Sequence, residues 1–513
     1  MSNTVQNTAS NLTLSSEETN LITEFLKLTV PGTSHESRLG SSVSVNEAGV
    51  IAVGASTAAE ALVIQPGSVT VFRPLGDGNY EEIYIAAPDA RDVTDVTDVF
   101  SFGNSISIMN DGTLIVGAPH FSLDGFIWGG AVYVYPLDDD GHYSAPIKLI
   151  ASDTNHGDYF GSAVTVNENG QIVVAAKGDD ADGIYNAGAI YVFTPQEDGS
   201  YTELKLSSPS VASYFGSSVS INEDGLIAVG ASGEQHSTGA LYIYKPTENG
   251  YEDPIKLEVD DPFFNDQFGA AVSVNDVGEI LVSQPGNMVD GKYIAGSVLL
   301  FKPDSQGNYT QKIEFTVSDP ADGHMFGSSV AMSSSGVVVI GARATETGGF
   351  VSVFTVQDDG SYKEFKVAVP DTIYDDEFGY SIAINEAGTI IIGKPGEDTE
   401  TAFDTGAIYV IEPDEHGNYA STANETQPEM AENETFDFSQ SGFGQATLVD
   451  FEVGEGSNDV IEFDQAMFSD FDAVIAAASE NGADTVITLD ADNSVTLKNV
   501  SLADLHADDF QFV

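Results

Sequence analysis

From Phe215 the chain reads FGSSVSINEDGLIAVGAS, and its hydrophobic pattern changes twice before the next turn. SSVSI alternates small or polar with apolar residues, the period-two signature of a strand covered on one face. NEDG is a turn whose glycine supplies the left-handed residue of a tight hairpin. LIAVGA is a short continuous apolar run, which predicts a strand buried on both faces. GALYIY alternates again, TENG turns, and PIKLE closes the unit. Four short strands are predicted, rich in β-branched and aromatic residues and bounded by Gly and Asn.

The unit recurs. Phe-Gly pairs stand at Phe102, Phe160, Phe215, Phe268, Phe326 and Phe378, with Leu39-Gly40 as a variant seventh copy. The spacing, roughly 56 residues, is that of a repeat architecture built from one supersecondary unit. Four antiparallel strands repeated seven times predict a β-propeller, which leaves only short protected edges. Ser and Ala crowd the first strand (GSSVS, GSAVT, GAAVS), as a strand next to a narrow central channel requires. The seventh copy lacks a KL strand after GAIYVIEPDEHGNYA, and a matching ITEFLKLTV stands near the start of the chain. Phe25 to Val30 is therefore expected to complete the last blade and close the ring.

In an antiparallel unit the short turns share one face and the long loops the other. The long loops carry Trp128, Phe121, Tyr185, Tyr293, Phe263, Phe264 and Phe403, with acids such as Asp179, Asp180, Asp182, Asp261, Asp266, Asp375 and Asp376. Aromatic rings stack on sugars, and acids hold hydroxyls or a bridging calcium, so this face is the candidate binding surface. Trp128, Phe121, Tyr185, Tyr293 and Phe403 are the ligand-binding candidates. Asp179, Asp180, Asp182 and Asp459 are the calcium candidates. The opposing reading packs the aromatics against neighbouring blades and leaves the acids solvated.

Charge narrows the partners. With 17 basic and 80 acidic side chains the net charge is −63, which argues against nucleic acid and anionic membranes as partners. The absence of cysteine excludes thiol catalysis, disulfide scaffolds and cysteine-ligated metal. Five histidines (His35, His120, His156, His236, His324) map to the long-loop face, but none has the spacing of a zinc motif. Neither G-x-S-x-G nor H-E-x-x-H occurs. A carboxylate pair for glycoside cleavage stays open, without a sequence signal that selects it. The N-terminal stretch has neither the basic nor the apolar region of a cleaved signal peptide, and no apolar run reaches the length of a membrane span.

The repeated Phe-Gly, the DG-x-x-x-VGA turn and strand (Asp224 to Ala231) and GAVYVY (Gly130 to Tyr135) resemble FG-GAP repeats, the blades of integrin α-chain propellers. That family places calcium between first and second strands in some blades. Here those loops (NEAG, NENG, NEDG) are short and lack spaced carboxylates, so that site is not carried over. After a polar stretch the pattern changes. GFG, DFEVGEGSNDVIEF, GADTVITL, SVTLKNVSLADL and the terminal DDFQFV resemble the C-terminal target region of bacterial type I secretion substrates, the kind found behind RTX repeats. Only one degenerate RTX piece, Gly454 to Asp459, is present. The resemblance implies an uncleaved C-terminal signal read by a type I secretion apparatus and an extracellular or cell-surface location.

The expected fold is all-β: a seven-bladed β-propeller closed by an N-terminal strand, plus a small β-rich C-terminal domain with one short helix, expected near Phe468 to Ala478. Residues 1–20 are read as a flexible N-terminus, 21–420 as the propeller, 421–434 as a linker and 435–513 as the secretion domain. The expected function is binding or adhesion to a glycan, matrix or cell surface. The alternatives are a structural surface-layer or biofilm-matrix component and a secreted polysaccharide hydrolase or lyase.

Overall fold

The structure is a computed structural model. It describes residues 20–22, 25–30, 37–56, 67–76, 79–88, 101–122, 126–138, 140–208, 210, 213–343, 348–357, 359–367, 369, 376–398, 402–414, 417, 419, 435–438, 445–448, 460–465, 467–481, 484–489, 493–497 and 500–512. The chain divides into two compact units, Met1–Ala423 and Asn424–Val513.

The first unit is built from four-stranded antiparallel sheets of the kind that form propeller blades, and they are numbered here by their Phe-Gly or Leu-Gly copy. In the third sheet Phe160–Val166, Ile172–Ala176, Ala189–Pro195 and Tyr201–Ser207 pair in sequence order. The second and third strands are buried on both faces, as their unbroken apolar runs require. The sheet of the seventh copy has three strands of its own, Ile382–Ile384, Ile390–Lys394 and Ala407–Ile411. Its fourth is Leu26–Leu28, which pairs antiparallel with Ala407–Ile411, Leu26 opposite Val410. Asn20–Ile22 adds a fifth, parallel strand to the sixth sheet beside Phe365, a strand absent from the sequence expectation.

The Phe-Gly pair fastens one sheet to the next. Each Phe of the pair is fully buried, and Leu39 takes the same place. The glycine that opens the third strand of one sheet bridges, in parallel, to that residue in the next, as in Gly67 to Phe102, Gly130 to Phe160 and Gly406 to Leu39. Gly188 makes the same approach. Its φ is +87°, and a Cβ there would lie 2.1 Å from the Phe215 carbonyl oxygen. Only glycine fits both conditions. The small first-strand residues serve the same junction: Ser42, Ser105, Ser218, Ser329 and Ser381 each donate a hydroxyl to a glycine carbonyl of the adjoining sheet, at 2.7–2.9 Å.

On the short-turn face, each first turn donates a backbone N–H to a side chain of the next. The chain of bonds runs Glu47 to Asn110, Glu168, Glu223, Asp276, Ser334, Glu386 and back to Glu47, each step 2.9–3.2 Å. Within a turn, the Asn222 carboxamide oxygen accepts from the Leu226 N–H at 2.9 Å, which fixes the hairpin locally.

The second unit is mixed rather than a simple hairpin array. Thr435–Phe438, Val460–Phe463 and Phe510–Phe512 form a parallel sheet, so DDFQFV supplies a strand. Asp484–Thr488 and Ser494–Leu497 form the expected hairpin, and Gln445–Leu448 joins it in parallel. The helix runs Phe471–Ala477, with Asp470 as its N-cap accepting from the Ala473 N–H. Phe463, Val474, Ile487, Leu497 and Phe510 share its core.

Candidate binding face

The acids of the long loops do two kinds of work. Asp179, expected as a calcium ligand, is 4% exposed and is satisfied from within its own sheet. Its carboxylate accepts from the Tyr191 hydroxyl at 2.8 Å and pairs with the Lys205 ammonium at 2.8 Å. Lys205 rises from the fourth strand and crosses the Tyr191 ring, 5.3 Å from its centroid. Burial works against the Lys205 charge, but its bonds to Asp153 and Asp179 outweigh that and raise its pKa. The neighbouring sheet repeats the device, with Lys256 on Glu234 at 2.7 Å and the Tyr242 hydroxyl on the same carboxylate at 2.8 Å. Asp179 thus fastens its own sheet through Tyr191 and Lys205. Asp180 is exposed and caps its loop by accepting from the Asn186 N–H at 2.9 Å. Asp182 lies in the 3-10 turn Ala181–Gly183, and Asp459 falls outside the described residues.

Display of side chains on this face follows a backbone rule. The residue before each repeat pair, from Leu39-Gly40 through Phe102, Phe160, Phe215, Phe268 and Phe326 to Phe378-Gly379, is a non-glycine with positive φ: Arg38, Ser101, Tyr159, Tyr214, Gln267, Met325 and Glu377. Facing several of them, two positions before the glycine of the preceding third strand, stands a second left-handed residue. Trp128, Asn186, Ser237, Ile294 and Asp404 occupy that place, with φ of 50° to 65°. The two are joined through the backbone. The Tyr159 N–H donates to the Trp128 carbonyl at 3.1 Å, and Gln267 to Ser237, Met325 to Ile294 and Arg38 to Asp404 repeat the bond. Left-handed backbone is costly for side chains with a Cβ and is held here by the junction bonds. Each junction therefore presents a pair of residues whose identity is free to vary while the backbone repeats.

One junction presents an aromatic pair. Trp128 and Tyr159 stack with ring centroids 6.1 Å apart and planes 25° from parallel. His120 stands edge-on to both, at 5.8 and 5.4 Å, and its Nδ1 meets the Ser101 hydroxyl at 2.9 Å. Burial, and then the nearby Lys177 charge, lower the His120 pKa, so the ring is neutral at pH 7. Phe160 pairs with Ala176 across the hairpin, which sets Tyr159 beside Lys177 just past the strand ends. The Tyr159 ring covers Gly178, where a Cβ would come within 2.7 Å of it. Lys177 is exposed and has no ion pair among the described residues, yet the protein around it lowers its pKa by desolvation. Trp128 is 37% exposed, enough to offer a ring edge and part of a face.

The other sequence candidates separate. Phe121 is buried, with the Lys148 ammonium 3.6 Å from its ring centroid, and packs in the core between the first two sheets. The packing reading holds for it. Tyr185, Tyr293 and Phe403 are the most open of the set, at 76%, 66% and 68% exposure. Burial first, and then the proximity of Tyr185 and Tyr214, raise the Tyr159 pKa; Tyr293 and Phe403 belong to other loops. Tyr159, Tyr214 and Lys177 were not singled out by sequence. Their signal is positional: the residue before each Phe-Gly pair and the residue after each second strand. On the opposite face a cavity of about 450 Å³ is lined by Arg73, Tyr84, Tyr135, His142 and Tyr143. Arg73 spans it, donating to the Gly141 carbonyl at 2.9 Å.

Repeated four-stranded sheets joined by a Phe-Gly staple define a propeller-type repeat protein. The comparison with protein families gives the repeat its name: the FG-GAP repeat matches residues 144–193, 206–244, 309–354 and 363–411. These four matches and the strand-rich first unit fit an FG-GAP β-propeller. No curated protein matches the chain.

Proposed function

We propose that this chain is an extracellular binding protein that offers the long-loop face of a seven-bladed ring to a glycan or glycan-coated surface. The observation that carries the reading is the Trp128–Tyr159 pair, two stacked aromatic rings held together at left-handed display positions, where the next junction pairs Tyr214 with Asn186 and others pair Gln267 with Ser237, Met325 with Ile294 and Arg38 with Asp404. Strain retained at an exposed position favours a functional over a packing role. Aromatic planes that are exposed on loops over a rigid scaffold are the usual material of a binding face. The test is retention on immobilised polysaccharides, with and without calcium, comparing the native chain with Trp128→Ala. Retention unchanged by the substitution sinks the reading.

Ring closure is part of the proposal. It is supported by the pairing of Leu26–Leu28 with Ala407–Ile411 and by the turn-to-turn bonds that return from Glu386 to Glu47. Truncation through residue 30 is expected to lower stability far more than truncation through residue 19; equal melting temperatures refute closure. Export is proposed to run through the second unit, on the likeness of its sequence to type I secretion targets. Removing residues 435–513 should leave a folded first unit inside the producing cell, and normal amounts in the medium refute the export route.

A further inference from the structure

We propose that the unit bound at the Trp128–Tyr159 junction is an anionic sugar, its ring against the aromatic pair and its carboxylate or sulfate on Lys177. This inference rests on the glycan reading and names the ligand class for that site. Charge placement supports it. The chain has 80 acids and 17 cations, yet the positions just before the Phe-Gly and Leu-Gly pairs and just after the second strands reverse that ratio. They hold Arg38, Lys177 and Arg343 against the single acid Glu377. Arg38 and Arg343 are both engaged, pairing with Glu377 and lying over the Tyr380 ring at 5.8 and 4.4 Å. Lys177 makes no such pair among the described residues. Most lysines of the first unit, among them Lys27, Lys205, Lys256, Lys302, Lys312, Lys366 and Lys394, sit on a carboxylate.

Among the described residues Lys177 has no carboxylate partner, and the acid two residues on, Asp179, is already paired with Lys205, so the Lys177 charge is available to an anion from outside. Screening makes the local charge the one a ligand feels: at physiological salt the Debye length is about 8 Å, so distant acids are damped. An ammonium is a point charge without the planar fork of arginine, and it accepts a carboxylate or a sulfate equally. The neutral His120 beside it adds no second charge, so one anionic group per bound unit is the expected stoichiometry.

The experiment compares binding of the full chain to oligogalacturonate and to its methyl ester, and to a sulfated oligosaccharide and its desulfated form. Each pair keeps the sugar ring and removes the charge. The native protein is expected to hold at least one anionic form about tenfold more tightly than its neutral partner. Lys177→Gln should bring that preference to within about threefold at an unchanged melting temperature, and Lys177→Arg should restore it. Trp128→Ala should weaken charged and neutral forms alike. Equal binding of charged and neutral forms, or a preference that survives Lys177→Gln, overturns the anion assignment while the glycan reading stands. Binding of none of the four probes overturns both.

Discussion

Trp128 can be replaced by glycine or by alanine, and the two outcomes separate display from packing. Both substitutions remove a stacked contact with Tyr159 and an edge contact with His120, each worth about 0.5–1.5 kcal/mol. They differ in what remains at φ 57°. Alanine keeps a Cβ in the left-handed region, at a cost of about 1–2 kcal/mol, whereas glycine takes that conformation freely. Glycine also enlarges the unfolded ensemble, which returns roughly 0.4–1 kcal/mol of the difference. The expected order is Trp128→Gly more stable than Trp128→Ala by up to about 1.5 kcal/mol, the reverse of the usual ranking. In a unit of this size that is a shift of about 1 °C in melting temperature, so the midpoint of denaturant unfolding is the better measure. Both variants should lose glycan binding by about 1–3 kcal/mol, the range for truncating an aromatic hot spot. Alanine equal to or better than glycine would mean that the tryptophan backbone is not strained. A loss of several kcal/mol in both would mean that the ring is core.

Three further outcomes follow from the junctions and the fastenings. Gly188→Ala should destabilise the first unit by at least about 2 kcal/mol, because the new Cβ meets the Phe215 carbonyl and the backbone is left-handed; circular-dichroism melts read this, and a neutral result refutes the staple. Lys205→Met should cost about 2–3 kcal/mol by leaving Asp179 buried with only the Tyr191 hydroxyl, and adding Asp179→Asn should recover most of it in a double-mutant cycle; additive losses refute the pairing. The Asp158 pKa is pushed up to about 6, by burial first and then by Asp179 and Asp153, against the Asn155 N–H bond that lowers it. The folded state therefore holds this proton more tightly than the unfolded chain does. Its contribution to stability falls as pH rises from about 4 to about 6 and is flat above that. Asp158→Asn should flatten that slope and raise stability at pH 7 by on the order of 1 kcal/mol, after discount for screening; an unchanged stability–pH profile refutes the assignment.

The repeat was legible because its determinants are local. Alternation, the buried run and the Asn-x-x-Gly turns predict four strands from neighbouring residues alone, and the structure places strands where they fall. Leu39-Gly40 was recognisable as a copy because its surroundings repeat even though its phenylalanine does not, and its bridge to Gly406 matches the others. The strand Leu26–Leu28 was legible for the same reason: the missing KL of the last copy had only one counterpart. The C-terminal unit was read less well. Parallel pairs such as Val460–Phe463 with Phe510–Phe512 join segments far apart in sequence, and no local pattern records them.

The candidate binding face was the part that sequence alone could not sort. Loop aromatics read alike in a string of letters. Tertiary packing buried Phe121 under Lys148, left Tyr185 open and brought Tyr159, absent from the sequence candidates, against Trp128. The acids divided in the same way, because the Lys205 stem crosses the third strand over Tyr191 to reach Asp179, while Asp180, one residue on, accepts from its own loop. Sequence determines which residues the loops carry and what backbone each junction repeats. Which side chains are used up as fastenings and which are left to meet a ligand depends on what arrives from the neighbouring strand and the neighbouring sheet. Those distances exist only once the sheets are stacked.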